Sequence, residues 1–270
     1  MAGLSSATAT VVVQSSASTR ILVQPTSTTT AVTNAGDDAT TLKLVDQNGN
    51  PVVVTAASGL TLNLTTSSTT AFFTKVKGGT GHITSTVIPK NSSSITVYIR
   101  DQIAEPVTFT ASAAAPTISG NATVTFSAGA FSQVVMTPST LTLNSSNVTG
   151  TQIDVQAEDQ YGNRVTTGPS SPYYITNLLQ QGNYYYTGNG CFANAAVSFL
   201  AQNGDYCNLN SNDSSNYKYV WPVDLSSGQA TVFFGDSQSG DNPQIILWDA
   251  NPYQNYNNAN QLYTINTQVN

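Results

Sequence analysis

Two stretches of the chain match each other at a constant offset of 113 residues, and this repeat restricts the possible folds more than any other feature. The matched segments are residues 9–13 with 122–126, 25–28 with 138–141, and 46–52 with 159–165. One offset that holds without a gap over about 45 residues indicates two copies of one structural unit. We therefore expect two domains of the same fold in tandem.

Both copies show apolar and polar residues alternating at period two, with Gly, Asn, Asp and Pro clusters between the runs. No window shows sustained helical periodicity. The chain of 270 residues is therefore predicted to be all-β, with two β-sandwiches of about 110–140 residues each. The predicted strands of the first copy are 20–24, 40–46, 52–56, 60–66, 70–76, 94–100, 107–112 and 122–127.

The predicted boundaries are a strand or tail over 1–17, a first sandwich over 18–129 and a second over 130–270. Residues 229–234 resemble 94–99 at an offset of 135, so the second copy carries about 22 extra residues. We place this Tyr- and Asn-rich insertion at about 168–228. Further on, residues 244–248 correspond to 107–111, and 262–268 supply a final strand in the place of 122–127.

The openings of the two copies carry a family resemblance. Residues 24–28 with 44–52, and 137–141 with 157–165, resemble bacterial immunoglobulin-like domains of the invasin and intimin type. The resemblance implies tandem immunoglobulin-like β-sandwiches, with Asp-x-x-Gly-Asn-x-Val as a tight turn after the second strand. In composition and two-domain design with a leading strand, the chain also resembles subunits of archaeal thread-like surface filaments, which implies assembly by donor-strand complementation.

Charge is scarce, since Asp, Glu, Lys and Arg make up 8% of the residues against about 25% in ordinary domains. A net charge of −6 and scattered basic residues argue against nucleic acid and against a polybasic membrane patch. No apolar window is long enough for a membrane span, and residues 1–20 lack a secretory signal pattern. With few carboxylates to protonate, we also expect tolerance of acid.

Spaced oxygen ligands occur in residues 46–50 and 159–163, and both a calcium loop and a structural turn would explain them. The turn is favoured, because neither segment has the later acidic ligand of a calcium loop and a glycine lies where a hairpin turn needs positive φ. Asp236 and Asp241 form a weaker case of the same kind. We predict no metal and no cofactor.

Catalytic groups are sparse. His82 is the only histidine and lies in a Gly-rich loop, and no Gly-x-Ser-x-Gly elbow presents a serine nucleophile. Glu105 and Glu158 are the only glutamates, and Glu158 lies in the repeated strand. The sequence therefore predicts a protein that is not an enzyme.

Covalent features indicate export. A disulfide between Cys191 and Cys207 would close about 15 residues, contribute about 3 kcal/mol and favour an extracellular setting. Glycosylation sequons, no more frequent than chance predicts, occur at Asn63, Asn91, Asn121, Asn144, Asn147 and Asn212. The Tyr-rich segments 173–219 and 253–263 either contact sugars or keep a surface of low charge soluble.

The first matched segment is the strand Ala9, Thr10, Val11, Val12, Val13 and Gln14, which corresponds to the last strand of the first sandwich. It either inserts into a neighbouring subunit, folds back on its own first domain, or belongs to a cleaved upstream domain. Insertion predicts a linear homopolymer of identical subunits on the cell surface. The alternatives are a virion turret, spike or capsid-associated protein, and an adhesin or carbohydrate-binding module that contacts surface glycans.

Overall fold

The computed structural model describes residues 16–25, 27–31, 38–143, 150–181, 184–187, 191–193, 220–236, 240, 242–252 and 259–269. The chain divides into two compact units, Met1–Ser127 (unit 1) and Ala128–Asn270 (unit 2). The regular elements of the described residues are strands. Within those ranges there is no helix of the length and apolar character that a bilayer span requires.

Unit 1 consists of two sheets. The first has the order β1 (Arg20–Gln24), β3 (Asp38–Val45), β7 (Ser94–Arg100), β5 (Phe72–Thr74). The second has the order β2 (Ser27–Ala31), β9 (Ile118–Ser127), β8 (Pro106–Ala113), β4 (Leu60–Thr66), β6 (Ser85–Ile88). The pair β2–β9 is parallel and the other pairs are antiparallel.

The core of unit 1 lies between these sheets. Buried residues alternate with more exposed ones along β4 and β8, as expected for strands that pack one face on a core. Phe109 is fully buried and meets the ring of Phe73 edge to face, with 6.0 Å between centroids. Each such apolar side chain contributes about 1.5–3 kcal/mol by leaving water.

Unit 2 also consists of two sheets. The first has the order β10 (Gln133–Thr137), β12 (Thr151–Glu158), β17 (Gln229–Gly235), β15 (Cys191–Ala193). The second has the order β11 (Thr140–Leu143), β19 (Gln261–Val269), β18 (Gln244–Trp248), β13 (Tyr173–Gln181), β14 (Tyr184–Thr187), and β16 (Val220–Val223) also pairs with β13. Its core includes Ile153, Ile175, Phe234 and Leu247.

The two units repeat the same pairing. In both units the chain leaves the first strand, passes through a cis prolyl bond, and continues in the second sheet. These bonds are Gln24–Pro25 and Thr137–Pro138. The strand that comes next lies parallel to the last strand, β2 to β9 and β11 to β19. The predicted all-β fold of two tandem immunoglobulin-like sandwiches is therefore confirmed.

Individual strands differ from the predictions. Residues 52–56 were predicted as a strand, and this is wrong. Val52 donates its backbone N–H to Leu44, whereas Val54 donates to Ser92, so the segment changes partner within two residues and forms no continuous ladder. Strands β2 and β6 were not predicted, since β2 reads Ser-Thr-Thr-Thr-Ala and has no apolar alternation.

Candidate functional site

The predicted joining strand, residues 9–14, lies outside the described residues. The described part of the chain begins at residue 16, and residues 16–19 correspond to residues 129–132 of unit 2. We call 16–19 and 129–132 the junction segments. Each junction segment leads into the first strand of its unit, β1 or β10. Each is also hydrogen-bonded to the turn that follows the partner of that strand, β3 or β12.

Asp46 comes directly after β3 and organises the turn in unit 1. Its carboxylate accepts the backbone N–H groups of Asn48 and Asn50 at 2.9 Å and the side-chain amide of Asn50 at 3.1 Å. It also accepts the backbone N–H of Ser16 at 3.1 Å, which ties the junction segment to the turn. A second bond from the N–H of Thr19 to the carbonyl of Val45 continues the attachment.

Asp159 has the same contacts in unit 2. It accepts the N–H groups of Tyr161 and Asn163, the amide of Asn163, and the backbone N–H of Gly129 at 2.8 Å. The N–H of Ser132 donates to the carbonyl of Glu158, as Thr19 does to Val45. The two junction segments are therefore attached to their units in the same way, at the repeat offset of 113.

These hydrogen bonds govern the acidity of both carboxyl groups. Burial alone would raise the pKa of Asp46. Hydrogen bonds outweigh burial and lower this pKa to about 2, and they come from the side chain and backbone of Asn50 and from the backbone N–H groups of Ser16 and Asn48. Burial likewise opposes ionisation of Asp159, and donation from Gly129, Asn163 and Tyr161 lowers its pKa. Both side chains are therefore anions that bind backbone donors.

The same geometry bears on the calcium interpretation. The carboxylates of Asp46 and Asp159 each already accept hydrogen bonds from four nitrogen donors, so a cation would have to displace those donors. Gly49 and Gly162 have φ of 84° and 83°, as a tight turn requires. Within the described ranges, no group of three His, Cys, Asp or Glu side chains could hold a metal ion. The structure favours the turn.

His82 lies in a different environment. Its imidazole is exposed, as a loop histidine should be, but it also stacks on the ring of Phe72, with 3.7 Å between centroids and 15° between planes. The guanidinium of Arg100 lies 5.5 Å from the centroid of the same ring. These three residues line a cavity of about 680 Å³ in unit 1. No sequence pattern indicates this cleft, because its members come from three separate segments, residues 70–72, 80–82 and 100–103.

The remaining predicted residues are distributed over both units. Cys191 lies in β15, and Cys207 lies outside the described residues, so the disulfide stays a prediction. Three sequon residues are exposed, namely Asn63, Asn91 and Asn121. The other three, Asn144, Asn147 and Asn212, lie outside the described residues.

The two glutamates make local hydrogen bonds, Glu158 through its side chain and Glu105 through its backbone carbonyl. Glu158 accepts the amide of Gln133 at 3.1 Å, and the carbonyl of Glu105 accepts the N–H of Phe126. Asp236 is buried after β17, where a polar surface loop was expected, and Asp241 lies outside the described residues. Of the Tyr-rich segments, Tyr173 and Tyr263 pack against the core of unit 2, so these two rings serve the interior.

Comparison with known proteins gives weak structural matches. No protein-family model and no curated protein matches this sequence. The D0-D1 domain of intimin matches 94% of this chain and 96% of its own, with 15% identity and a TM-score of 0.27. Invasin, a bacterial integrin-binding protein, matches 93% of this chain and 39% of its own, at 11% identity and 0.32. The Yersinia pseudotuberculosis adhesin InvE matches 93% and 58%, at 14% identity and 0.32. Matches of this size carry no argument about function, which has to be inferred from the strand order and the junction segments.

Proposed function

We propose that this protein is a non-enzymatic structural subunit of an extracellular surface filament. In this proposal residues 9–14 of one copy add a strand to a sandwich of the next copy. Identical subunits then assemble head to tail into a linear polymer, because such a contact does not close on itself. The observation that carries the proposal is the matched attachment of the two junction segments.

The structure describes the residues that come before the attached segment 129–132. The chain that reaches Gly129 comes directly from β9, which ends at Ser127 as the last strand of unit 1. Residues 16–19 are attached to unit 1 by the corresponding hydrogen bonds. By this equivalence, the residues before Ser16 are expected to pair with a sandwich other than unit 1, which a neighbouring copy supplies.

The side-chain pattern of residues 9–14 supports the same interpretation. At the repeat offset, Ala9, Val11 and Val13 correspond to residues of β9 that face the core of unit 1. Those three, Ala122, Val124 and Phe126, are all less than 5% exposed. The intervening residues 10, 12 and 14 correspond to positions on the outer face. Burial of Val11 and Val13 would add about 1.5–3 kcal/mol each to the joint.

The position of a last strand is already filled in unit 2, where β19 pairs with β18 and β11. The donated strand therefore adds to a sheet edge of the neighbour. Unpaired backbone N–H and C=O groups of an edge strand accept such an addition, and a ladder of backbone bonds needs no charged side chains.

The charges of the two units favour a head-to-tail order. Unit 1 carries six Lys and Arg against five Asp and Glu, whereas unit 2 carries two against nine. Unit 1 of one copy and unit 2 of the next therefore attract each other, while two copies of unit 2 repel. Salt should slow assembly for this reason.

Electron microscopy of the purified protein, with and without residues 1–14, tests the proposal. We expect unbranched threads from the complete chain, and monomers with an unchanged melting temperature from the deletion variant. A deletion variant that no longer folds would indicate that the strand folds back on unit 1. Globular particles from both proteins would contradict the filament and would favour an upstream domain or a spike.

A further inference from the structure

The cleft around Phe72, His82 and Arg100 is a second site, independent of filament assembly. Phe72 lies in β5 and Arg100 ends β7, and the two residues are paired across the antiparallel ladder. His82 comes from the loop after β5 and covers one face of the Phe72 ring. Since the imidazole is also exposed, its other face is open to a ligand.

Arg100 provides a fixed positive charge. Its side chain is only 7% exposed, and Nη1 donates to the carbonyl of Gly79 at 2.7 Å, which holds the loop that carries His82. Lys75 and Lys77 are exposed in that loop. Of the described residues that line the cavity, none is acidic. The carboxylate of Asp101 is bonded to two lining residues, since it accepts the hydroxyl of Thr70 at 2.9 Å and the backbone N–H of Ile103 at 3.0 Å. It offsets one of the three positive charges, and the local balance of charge stays positive in an otherwise acidic protein.

The rest of the lining is neutral and suited to hydroxyl groups. Thr80 and Gln102 are exposed side chains that donate and accept hydrogen bonds. Ile103 is 42% exposed and gives the cavity an apolar wall. A concave site with an aromatic face, a few polar groups and one cation is the usual composition of a small-ligand site.

We propose that this cleft binds an acidic sugar residue, of the hexuronic acid class, within a polysaccharide. The apolar face of the sugar ring packs on the open face of His82. The sugar carboxylate lies toward Arg100, with which a planar carboxylate forms charge-assisted hydrogen bonds. Thr80 and Gln102 bind the ring hydroxyls. The cleft thereby fixes the protein to an acidic polysaccharide, whether or not the subunits polymerise.

Isothermal titration of the complete protein with a galacturonic acid tetramer, and with the neutral galactose tetramer, tests the site. We expect the acidic tetramer to bind at least about tenfold more tightly, since only its carboxylate can accept a charge-assisted hydrogen bond from Arg100. His82→Ala should weaken the acidic tetramer about tenfold, and Arg100→Gln by about 10–100-fold. Equal binding of both tetramers, or no binding of either, would overturn the proposal.

Two controls keep the test sharp. Lys90→Gln removes one positive charge from an exposed position before β7, whereas Arg100 ends that strand. It should leave the affinity unchanged, and an equal loss would show general electrostatic attraction only, which contradicts the site. Arg100→Gln could unfold the loop, so His82→Ala and Thr80→Ala, both at exposed positions, are the deciding variants. If both melt like the wild type and bind as tightly, the proposal is wrong.

Discussion

The backbone N–H of Ser16 donates to Oδ2 of Asp46 across 3.1 Å, and this bond joins the residues just before β1 to the turn after β3. Its counterpart from Gly129 to Asp159 is 2.8 Å long. Each bond attaches the residues before a first strand to the turn of the same unit. The carboxylates are therefore expected to stabilise both their own turn and the attachment of the junction segment to it.

Replacement of Asp46 by Asn should lower the melting temperature at pH 7. The amide offers one acceptor oxygen, whereas the carboxylate offers two to the same donors. The effect should depend on pH. The pKa of Asp46 is lowered to about 2 in the folded state, so its stabilisation is complete above the ordinary pKa of 3.8 and is lost as the pH falls toward 2. The two proteins should converge over that interval when thermal melts are compared.

The control for Asp46→Asn is Asn48→Ala. That change removes an exposed side chain from the same turn but leaves the backbone N–H that Asp46 accepts. The Asn48→Ala protein should keep the pH profile of the wild type. A gap between the Asp46→Asn and wild-type proteins that stays constant from pH 5 to pH 2 would contradict the assigned role of the carboxylate.

A second test concerns Gly49, which has φ of 84° and no atom within 4 Å of an added Cβ. Gly49→Ala should therefore cost about 1–2 kcal/mol through backbone conformation alone. Gly81→Ala is the matched control, since Gly81 also has open space around it but its φ does not lie in the left-handed region. Urea unfolding of both variants measures the difference, and equal stabilities would show that the turn adapts.

The fold could be predicted from sequence because several strands of unit 1 alternate strictly. β8 reads Pro-Val-Thr-Phe-Thr-Ala-Ser-Ala, and its apolar residues face the core. β2 could not be found in that way, because four of its five residues carry hydroxyl groups and it depends on its pairing with β9. The strand prediction for residues 52–56 is wrong for the opposite reason. Their valines suggest a strand, although the segment forms no continuous ladder.

The candidate sites were predictable to different degrees. The turns at Asp46 and Asp159 depend on local residues, whereas the bonds from Ser16 and Gly129 depend on where β1 and β10 enter their sheets. The repeat offset relates Ser16 to Gly129 and could have indicated their common role. The stack of His82 on Phe72 has no such signal, because neither residue is repeated in the second copy.

The joining strand makes a prediction about single side chains. Val11→Asn and Val13→Asn should each abolish threads in electron micrographs, because the corresponding residues Val124 and Phe126 are buried. Val12→Asn is the internal control, since its counterpart Thr125 lies on the outer face of β9. All three proteins should melt like the wild type as monomers. If Val12→Asn were as harmful as the other two, the proposed orientation of the strand would be wrong.

Acid tolerance is the last prediction. The protein has 14 Asp and Glu in 270 residues, so protonation of its carboxylates in acid can remove only a few stabilising interactions. Hydrogen bonds from Ser226 lower the pKa of Asp224, as donors do for Asp46 and Asp159, so these three lose their stabilisation only as the pH falls below 3.8. We expect the melting temperature at pH 3 to lie within about 20 °C of that at pH 7, a span that corresponds to several kcal/mol. A larger fall in the melting temperature, measured by calorimetry, would contradict this prediction. It would show that ionised side chains contribute more to the stability of these sandwiches than their backbone ladders and apolar cores do.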